Sequence, residues 1–445
     1  MPDSSLTRPF LDSFEASRAA LPGAGLDWLA SLRETGIARF AERGLPSPRL
    51  EAWKYTSLGP LGKVDFAPAR PDSISIDHLP TLLPHGQGGH RLVFVDGYFR
   101  ADLSRIDDLP EGVELGSLAA LLTSAPDGLS EHLGRVGAAE AGEQPLLALN
   151  TAMMADGFVL RLRRGVCLAA PVEIVFVGAT GDGALAYHPR NLIVLEPGSQ
   201  ATILEHHAGI GDGTYLANGG TEIVVGADAA LHHYKVQAES DKAFHLSTAQ
   251  VEVGRNALYD AFLLTTGARL SRNEVTVRLT EAGADCRLNG AYMLRGSQHC
   301  DTTTAIHHVA PHTNCREVFK GVVDDTARGV FQGRIVVHKD AQHTNGHQLS
   351  KALLLSDRAE VDAKPELEIY ADDVKCSHGA TTGDLDRAAL FYLRSRGIPE
   401  VEARHMLIEA FLSETIHAIA AQGICPALMA SVGHWLSDAR MRRAA

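Results

Sequence analysis

The sequence predicts a mainly β protein in which a stacked-coil core, residues 151–383, lies between an N-terminal mainly helical domain, 1–150, and a C-terminal helical domain, 384–445. Three observations predict it. From about residue 157 the chain reads as short alternating strands broken by Gly, Asp and Asn, as in NLIVLEPGSQATILEHH and TEIVVGADAALHHYKV. The turn elements PGSQA, VGADAA, VGRNAL and EAGADC place Gly198, Gly226, Gly254 and Gly283 about 28 residues apart, the interval of coils that bury their faces only by stacking on neighbours. Helical periodicity is confined to the two ends. A βαβ sheet is thereby excluded, since its strands alternate with helical patterns of roughly 10–15 residues. A β-solenoid or a sandwich remains, and the near-constant interval favours the solenoid.

The N-terminal segments SSLTRPFLDSFEASRAAL and GLDWLASLRETGIARFAERG carry apolar residues at three- and four-residue spacing, each closed by Gly or Pro, and predict helices up to about residue 60. LPSPRLEAWKYTSL predicts a loop entering a short helix. Between 61 and 150 the pattern is mixed, with a hairpin at RLVFVDGYFR and helical stretches at GSLAALL and QPLLALNTAMM. After Gly383, DLDRAALFYLRSRG predicts a helix with Asp384 as N-cap and Gly397 as its stop. IPEVEARHMLIEAFLSETIHAIAAQG predicts a second, from Pro399 to Gly423, with Val401, Ile408, Phe411, Leu412, Thr415 and Ile419 on one apolar face. A solenoid exposes unpaired strand edges at its ends, so helical modules at both termini are expected to cap it and to offer partner surfaces.

The 445 residues carry a formal charge of −13 with no long Lys/Arg block, which argues against an electrostatic grip on nucleic acid. An apolar fraction of 45% and a charged fraction of 21% are those of a globular protein. The start, MPDSSLTRPFLDSFEASR, lacks the pattern of an export signal, and no run approaches the roughly 20 apolar residues that cross a bilayer. The cytosol is the expected location. Six scattered cysteines without a CxxC pair read as reduced thiols.

Several motifs are weaker than they look. GDGALA, Gly181 to Ala186, resembles a dinucleotide loop, but the strand-like AYHPRNLIV follows where a helix is required. No Walker-type phosphate loop is present. The pairs Asp324-Asp325 and Asp372-Asp373 could serve sugar cleavage, as β-solenoids often do, although neighbours on a strand point to opposite faces and solvated turns are favoured. The doublets His206-His207, His232-His233 and His307-His308 place one ring on each face, a structural pattern. VVHKDAQHTNGHQ, with His338, His343 and His347, has weak metal-binding character and reads first as a hydrogen-bonded turn. DVKCSHGATTG is the sharpest motif. Val374, Cys376 and His378 share one face of an extended strand that ends at the junction with the C-terminal helices. Thiolate and imidazole suit iron, and a thiolate can carry sulfur, yet a packed core cysteine fits the same residues equally well. A cluster needs about four ligands and this motif offers two, so another chain would have to complete it.

Phe331 to Ile398, FQGRIVVHKDAQHTNGHQLSKALLLSDRAEVDAKPELEIYADDVKCSHGATTGDLDRAALFYLRSRGI, closely resembles the SufB/SufD family of iron-sulfur cluster assembly proteins, and CSHGAT is similar to its SufD branch. SPRLEAWKYTSL resembles the N-terminal motif of the same branch. The resemblance implies a parallel, right-handed β-helix between helical domains. It implies a complex in which a SufB-like β-helix protein meets this chain end to end and a SufC-like ATPase docks on the C-terminal helices, with a homodimer open to the isolated chain. It places Cys376 and His378 at the SufB-facing end as candidate iron or cluster ligands, and Asp384, Phe391, Tyr392, Arg394, Arg396 and Phe411 on the docking module. It implies no stably bound cofactor in the isolated chain, only transient iron or a nascent cluster, and a scaffold in place of an enzyme. The cysteine that SufB carries in the preceding strand has no counterpart in Lys351 to Asp362, and Gly379 stands where SufB has a glutamate. Both departures suggest a role in iron supply and not as main sulfur acceptor. The alternatives are a cytosolic β-helix enzyme acting on carbohydrate, and a purely structural partner of a SufB-like chain.

Overall fold

The computed structural model of the chain describes residues 4–71, 76, 79–82, 89–106, 108–137, 144–179 and 183–444. Gly181 and Asp182 of the GDGALA motif lie outside the described residues; Ala184–Tyr187 is a strand. The core is a parallel β-solenoid. Successive strands alternate between two sheets, one running through Arg190–Leu195, Tyr215–Val225, Phe244–Val253, Leu270–Leu279, His299–His308, Arg328–Val337 and Glu360–Ile369, the other through Gln200–Gly209, Ala230–Ala238, Leu258–Thr265, Asp285–Leu294, Asn314–Val323, Asn345–Leu354 and Lys375–Gly383. Strands Arg91–Val95 and Val113–Ser117, from the N-terminal segment, extend both sheets.

Stacking is carried by in-register files of inward side chains. In the first sheet Ile193, Ile223, Val251, Val277, Ile306, Ile335 and Leu367 are consecutive partners. Opposite them run Ala201, Leu231, Tyr259, Cys286, Cys315, Gly346 and Cys376. The side chains of both files belong to or pack against one core cluster. Each fully buried aliphatic side chain contributes roughly 1.5–3 kcal/mol, which only a neighbouring coil can supply.

The turns repeat more regularly than the glycines do. The left-handed position of each coil falls at Gly198, Asp228, Asn256, Gly283, His312 and His343, and the N–H of each donates to the carbonyl of the next coil's turn, from Gly198 onto Ala227 as far as His343 onto Asp373. Gly226 and Gly254 are therefore not the equivalents of Gly198 and Gly283. Asp228 and Asn256 take the strained role, which short polar side chains tolerate.

Both outer faces are covered along most of the rod, so the strands Arg190–Leu195 and Arg328–Val337 are buried on both faces nearly throughout. Phe10, Phe14, Phe40 and Trp53 pack on Leu216, Phe244, Leu246 and Leu270 of the first sheet. On the second sheet, Tyr234, Val236, Phe262, Leu264, Met293 and Val322 meet Ile408, Leu412, Ile416, Leu428, Val432 and Trp435 of the C-terminal helices. The helices Ser4–Ser17 and Asp27–Arg43 and the hairpin Arg91–Val95 and Tyr98–Phe99 form as the periodicity and the Asp96-Gly97 turn dictate. Residues 50–56 form a strap across the first sheet. Ala52 O accepts from Arg272 Nη2 at 2.8 Å and from Gln332 Nε2 at 3.1 Å, Trp53 lies 3.8 Å from the Arg272 guanidinium, and Glu51 meets Lys364 at 2.6 Å. That strap ties the SPRLEAWKYTSL motif to the last coils of the rod.

The C-terminal module departs from expectation in three ways. Asp386, not Asp384, caps the helix Arg387–Ser395, accepting from Ala388 and Ala389 N–H. The long second helix stops at Ile416, and a separate helix, Cys425–Ala444, follows. The module lies along the flank of the second sheet and leaves the end of the rod uncovered, because its apolar stripe at Ile408, Leu412 and Ile416 matches the flat apolar sheet face. Val401, assigned to that stripe, is 51% exposed.

Candidate functional site at the open end of the solenoid

Glu360–Ile369 and Lys375–Gly383 end the two sheets, each with a neighbour on one side only. Burial collapses here: no residue of Lys375–Gly383 is fully buried, whereas Arg328–Val337 is buried nearly throughout. Unpaired N–H and C=O groups along such edges are a template for pairing with another chain.

Strand alternation puts Cys376, half-buried, and His378, exposed, on one face, and register gives each a file of neighbours. Cys376 pairs with Gly346, which pairs with Cys315 and then Cys286. His378 pairs with Gln348, then Glu317, then Leu288. Gln348 Nε2 donates to Glu317 Oε2 at 2.6 Å, and its amide occupies space opened by Gly333, where a Cβ would stand 2.0 Å from Nε2. His308 anchors the second thiol, with Nε2 3.2 Å from Cys315 Sγ and Nδ1 2.7 Å from Thr313 Oγ1. Burial raises the thiols of Cys376, Cys315 and Cys286 above their ordinary value, the last well above, which keeps them protonated.

Burial also pushes the Glu317 carboxyl up to about 7, against the lowering effect of Thr304 and Gln348. The unfolded chain releases that proton near the ordinary glutamate value of 4.5, while the folded chain holds it to about pH 7. Between those values the folded state binds the extra proton, so this group's contribution to stability is full below about pH 4.5, falls as pH rises, and is lost above about pH 7. Glu317→Gln keeps an acceptor for Gln348 and cannot ionise. It should raise stability at pH 8 by on the order of 2 kcal/mol and leave it nearly unchanged at pH 4.5. Urea melts at the two pH values check this, and equal shifts at both would disprove it.

The remaining candidates are dispersed. His207 Nε2 and His233 Nε2 lie 3.0 and 2.7 Å from the Glu205 carboxylate inside the rod, and His232 lies 3.2 Å from Asp260. Both rings of the doublets at 206-207 and 232-233 are buried, because both sheet faces are covered. His338 sits 3.4 Å from His307, His343 bonds Asp373 at 3.0 Å, and His347 bonds Ser377 at 2.7 Å, so the three rings serve separate partners. Among the described residues no group of three or more His, Cys, Asp or Glu side chains could hold a metal ion. Cys376 and His378 thus offer at most part of a ligand set.

On the C-terminal module Phe391 is 74% and Tyr392 57% exposed, and the helix Arg387–Ser395 has no buried residue. Val401 and Met406 on the next helix are also exposed. Arg394 bonds Glu400 at 3.2 Å and Arg396 lies 5.2 Å from the Tyr392 ring. Asp384 accepts from Leu385 N–H. Phe411 faces the rod instead: the Lys320 ammonium lies 4.6 Å from its ring and donates to its carbonyl at 2.6 Å. Sequence reasoning missed Cys315, Gly346, Glu317 and Gln348. The signal was available, since Cys286, Cys315, Gly346 and Cys376 fall at nearly constant intervals once the coils are aligned.

Residues 176–411 match the family described as SUF system FeS cluster assembly, SufBD core domain, and residues 4–174 match the SufBD protein N-terminal region. An iron-sulfur cluster assembly SufBD family protein of Synechocystis is 34% identical over 412 residues, 90% of each chain. The iron-sulfur cluster assembly protein SufD of Escherichia coli is 32% identical, covering 90% of this chain and 91% of its own length. SufD of Bacillus subtilis is 26% identical over 89% and 91%.

Proposed function

The chain belongs to the SufB/SufD family of iron-sulfur cluster assembly proteins, and on that premise we propose that it is the SufD-type scaffold subunit of a complex with a SufB-like β-helix protein and a SufC-like ATPase. The observation that carries the proposal is the uncovered last coil with Cys376 and His378 on it. A two-donor motif at an open sheet edge cannot complete a cluster that needs about four ligands, but it can contribute to one when a second β-helix pairs along that edge. Iron and sulfur are cargo in this reading, held in passing between subunits, and the chain carries no catalysis of its own.

The exposed aromatic surface on Arg387–Ser395 gives the ATPase a docking place and supplies an energy source that this chain lacks, having no Walker loop. Nucleotide-driven movement of the ATPase would pass through the C-terminal helices to the flank of the second sheet, whose last strand bears Cys376. The partners work in the cytosol. In their absence the same edges pair two copies of the chain.

Co-expression with SufB-like and SufC-like proteins and affinity capture through this chain tests the assignment. Both should co-purify in a defined ratio through size exclusion. Recovery of the chain alone, as monomer or homodimer, would overturn it.

A further inference from the structure

The inward file that ends at His378 runs back through Gln348 to Glu317. Glu317 is fully buried, and Gln348 is only 3% exposed although its strand, Asn345–Leu354, has just one strand between it and the open edge. The amide of Gln348 is half used. Its Nε2 donates to Glu317 Oε2 at 2.6 Å, in the space that Gly333 of the facing sheet leaves open, but its Oε1 is buried and among the described residues meets no donor. A buried acceptor has given up its hydration, and without a partner it gains nothing in return.

Register decides which neighbour can supply the missing donor. On the inner side stands Glu317, already bonded to the nitrogen of the same amide. On the outer side stands His378, whose ring carries an N–H in either neutral form and, being exposed, is free to turn about its side-chain torsions. Neighbouring strands lie about 4.8 Å apart, so side chains of this length on in-register residues reach one another.

We propose that Gln348 is the positioning residue for His378. Its Oε1 accepts a ring N–H of His378, which fixes the tautomer and turns the second ring nitrogen, with its lone pair, toward the open edge. Glu317 acts one step further in: by holding Nε2 it makes the amide present oxygen, and not nitrogen, to the ring. The proposal deepens the reading of the open end as a cargo site and rests on it, because a histidine that takes up a metal keeps one nitrogen free and is oriented through the other. Truncating His378 opens the amide to solvent, where water replaces the lost donor, so the fold is not left with an orphaned group.

Histidine labelled with carbon-13 in the isolated full-length chain reports the tautomer. The His378 signal is the one missing from His378→Ala, and its ring carbon shifts at about pH 8.5, well above the ordinary imidazole range, give the ratio of the two neutral forms. Gln348→Leu removes the acceptor and keeps an inward side chain, and it should shift that ratio about fivefold, the worth of one hydrogen bond. Gln348→Glu keeps an acceptor and should stay within about twofold of the parent. Glu317→Leu frees the amide to turn, so it should shift the ratio in the same direction as Gln348→Leu, and it provides the second arm if Gln348→Leu disturbs the strand. A parent ratio in both leucine variants, the result expected if a buried water satisfies Oε1, would overturn the proposal. So would a Gln348→Glu shift as large as that of Gln348→Leu. Because neither partner nor cargo is present, failure here is separable from failure of partner capture.

Discussion

Replacing His378 with alanine should lower cluster maturation by a reconstituted assembly complex at least tenfold, about the lower bound for loss of a group that holds a metal, while partner capture and thermal stability stay at parent values. The separation follows from where the residue stands. His378 is exposed on an edge strand and its ring fills no core position, so its removal leaves no cavity. The proposed edge pairing would run through backbone N–H and C=O groups, which a side-chain truncation does not touch. On the proposed reading of the open end, what the imidazole then loses is its chemistry toward cargo. Cys376→Ser should resemble His378→Ala in maturation but also cost some stability, because Cys376 packs against the core cluster. Maturation measured by transfer of a cluster to an apo-ferredoxin, beside capture yield and melting temperature for each variant, decides the matter. Unchanged maturation in His378→Ala would remove the site; loss of capture along with maturation would make His378 an interface residue.

The solenoid was legible because a coil that must stack repeats its turn, and Gly198 and Gly283 show that turn openly. Its true period was only half visible. Asp228, Asn256, His312 and His343 occupy the same left-handed position without being glycine, so a search for glycines locks onto Gly226 and Gly254, which are off register. The shared face of Cys376 and His378 followed from strand alternation alone. Their neighbours did not, because Gln348, Glu317 and Cys315 are brought alongside by pairings some 30 residues apart, and no local pattern encodes a parallel register. The helices were readable as helices, but not where they would pack. Amphipathic stripes say that a face must be covered, and here the flank of the second sheet covers it. The 50–56 strap was recognised only as a motif; its physical role emerges from Arg272, which holds Ala52, Trp53, Glu274 and Asp301 at once.

Phe391→Asp should abolish capture of the ATPase while the SufB-like subunit still co-purifies. On Arg387–Ser395 no side chain is buried, and Phe391 and Tyr392 expose their rings, as Val401 and Met406 on the next helix expose their side chains. Leaving such aromatics in water is costly unless a partner covers them, and aromatic anchors dominate protein interfaces. Losing one such anchor typically costs roughly 2 kcal/mol or more, about a 30-fold weaker complex, and a carboxylate placed in the same pocket adds the penalty of desolvating a charge. Stability should not change, because the side chain touches little of its own chain. Phe411 provides the contrast: its ring and carbonyl both engage Lys320 on the rod, so Phe411→Ala should destabilise the helical module against the second sheet and lower the melting temperature. Titration of each variant with the SufC-like protein, read by calorimetry alongside thermal melts, separates the two. If Phe391→Asp binds as the parent does, the ATPase docks elsewhere, and movement of Arg387–Ser395 is not what reaches the strand bearing Cys376.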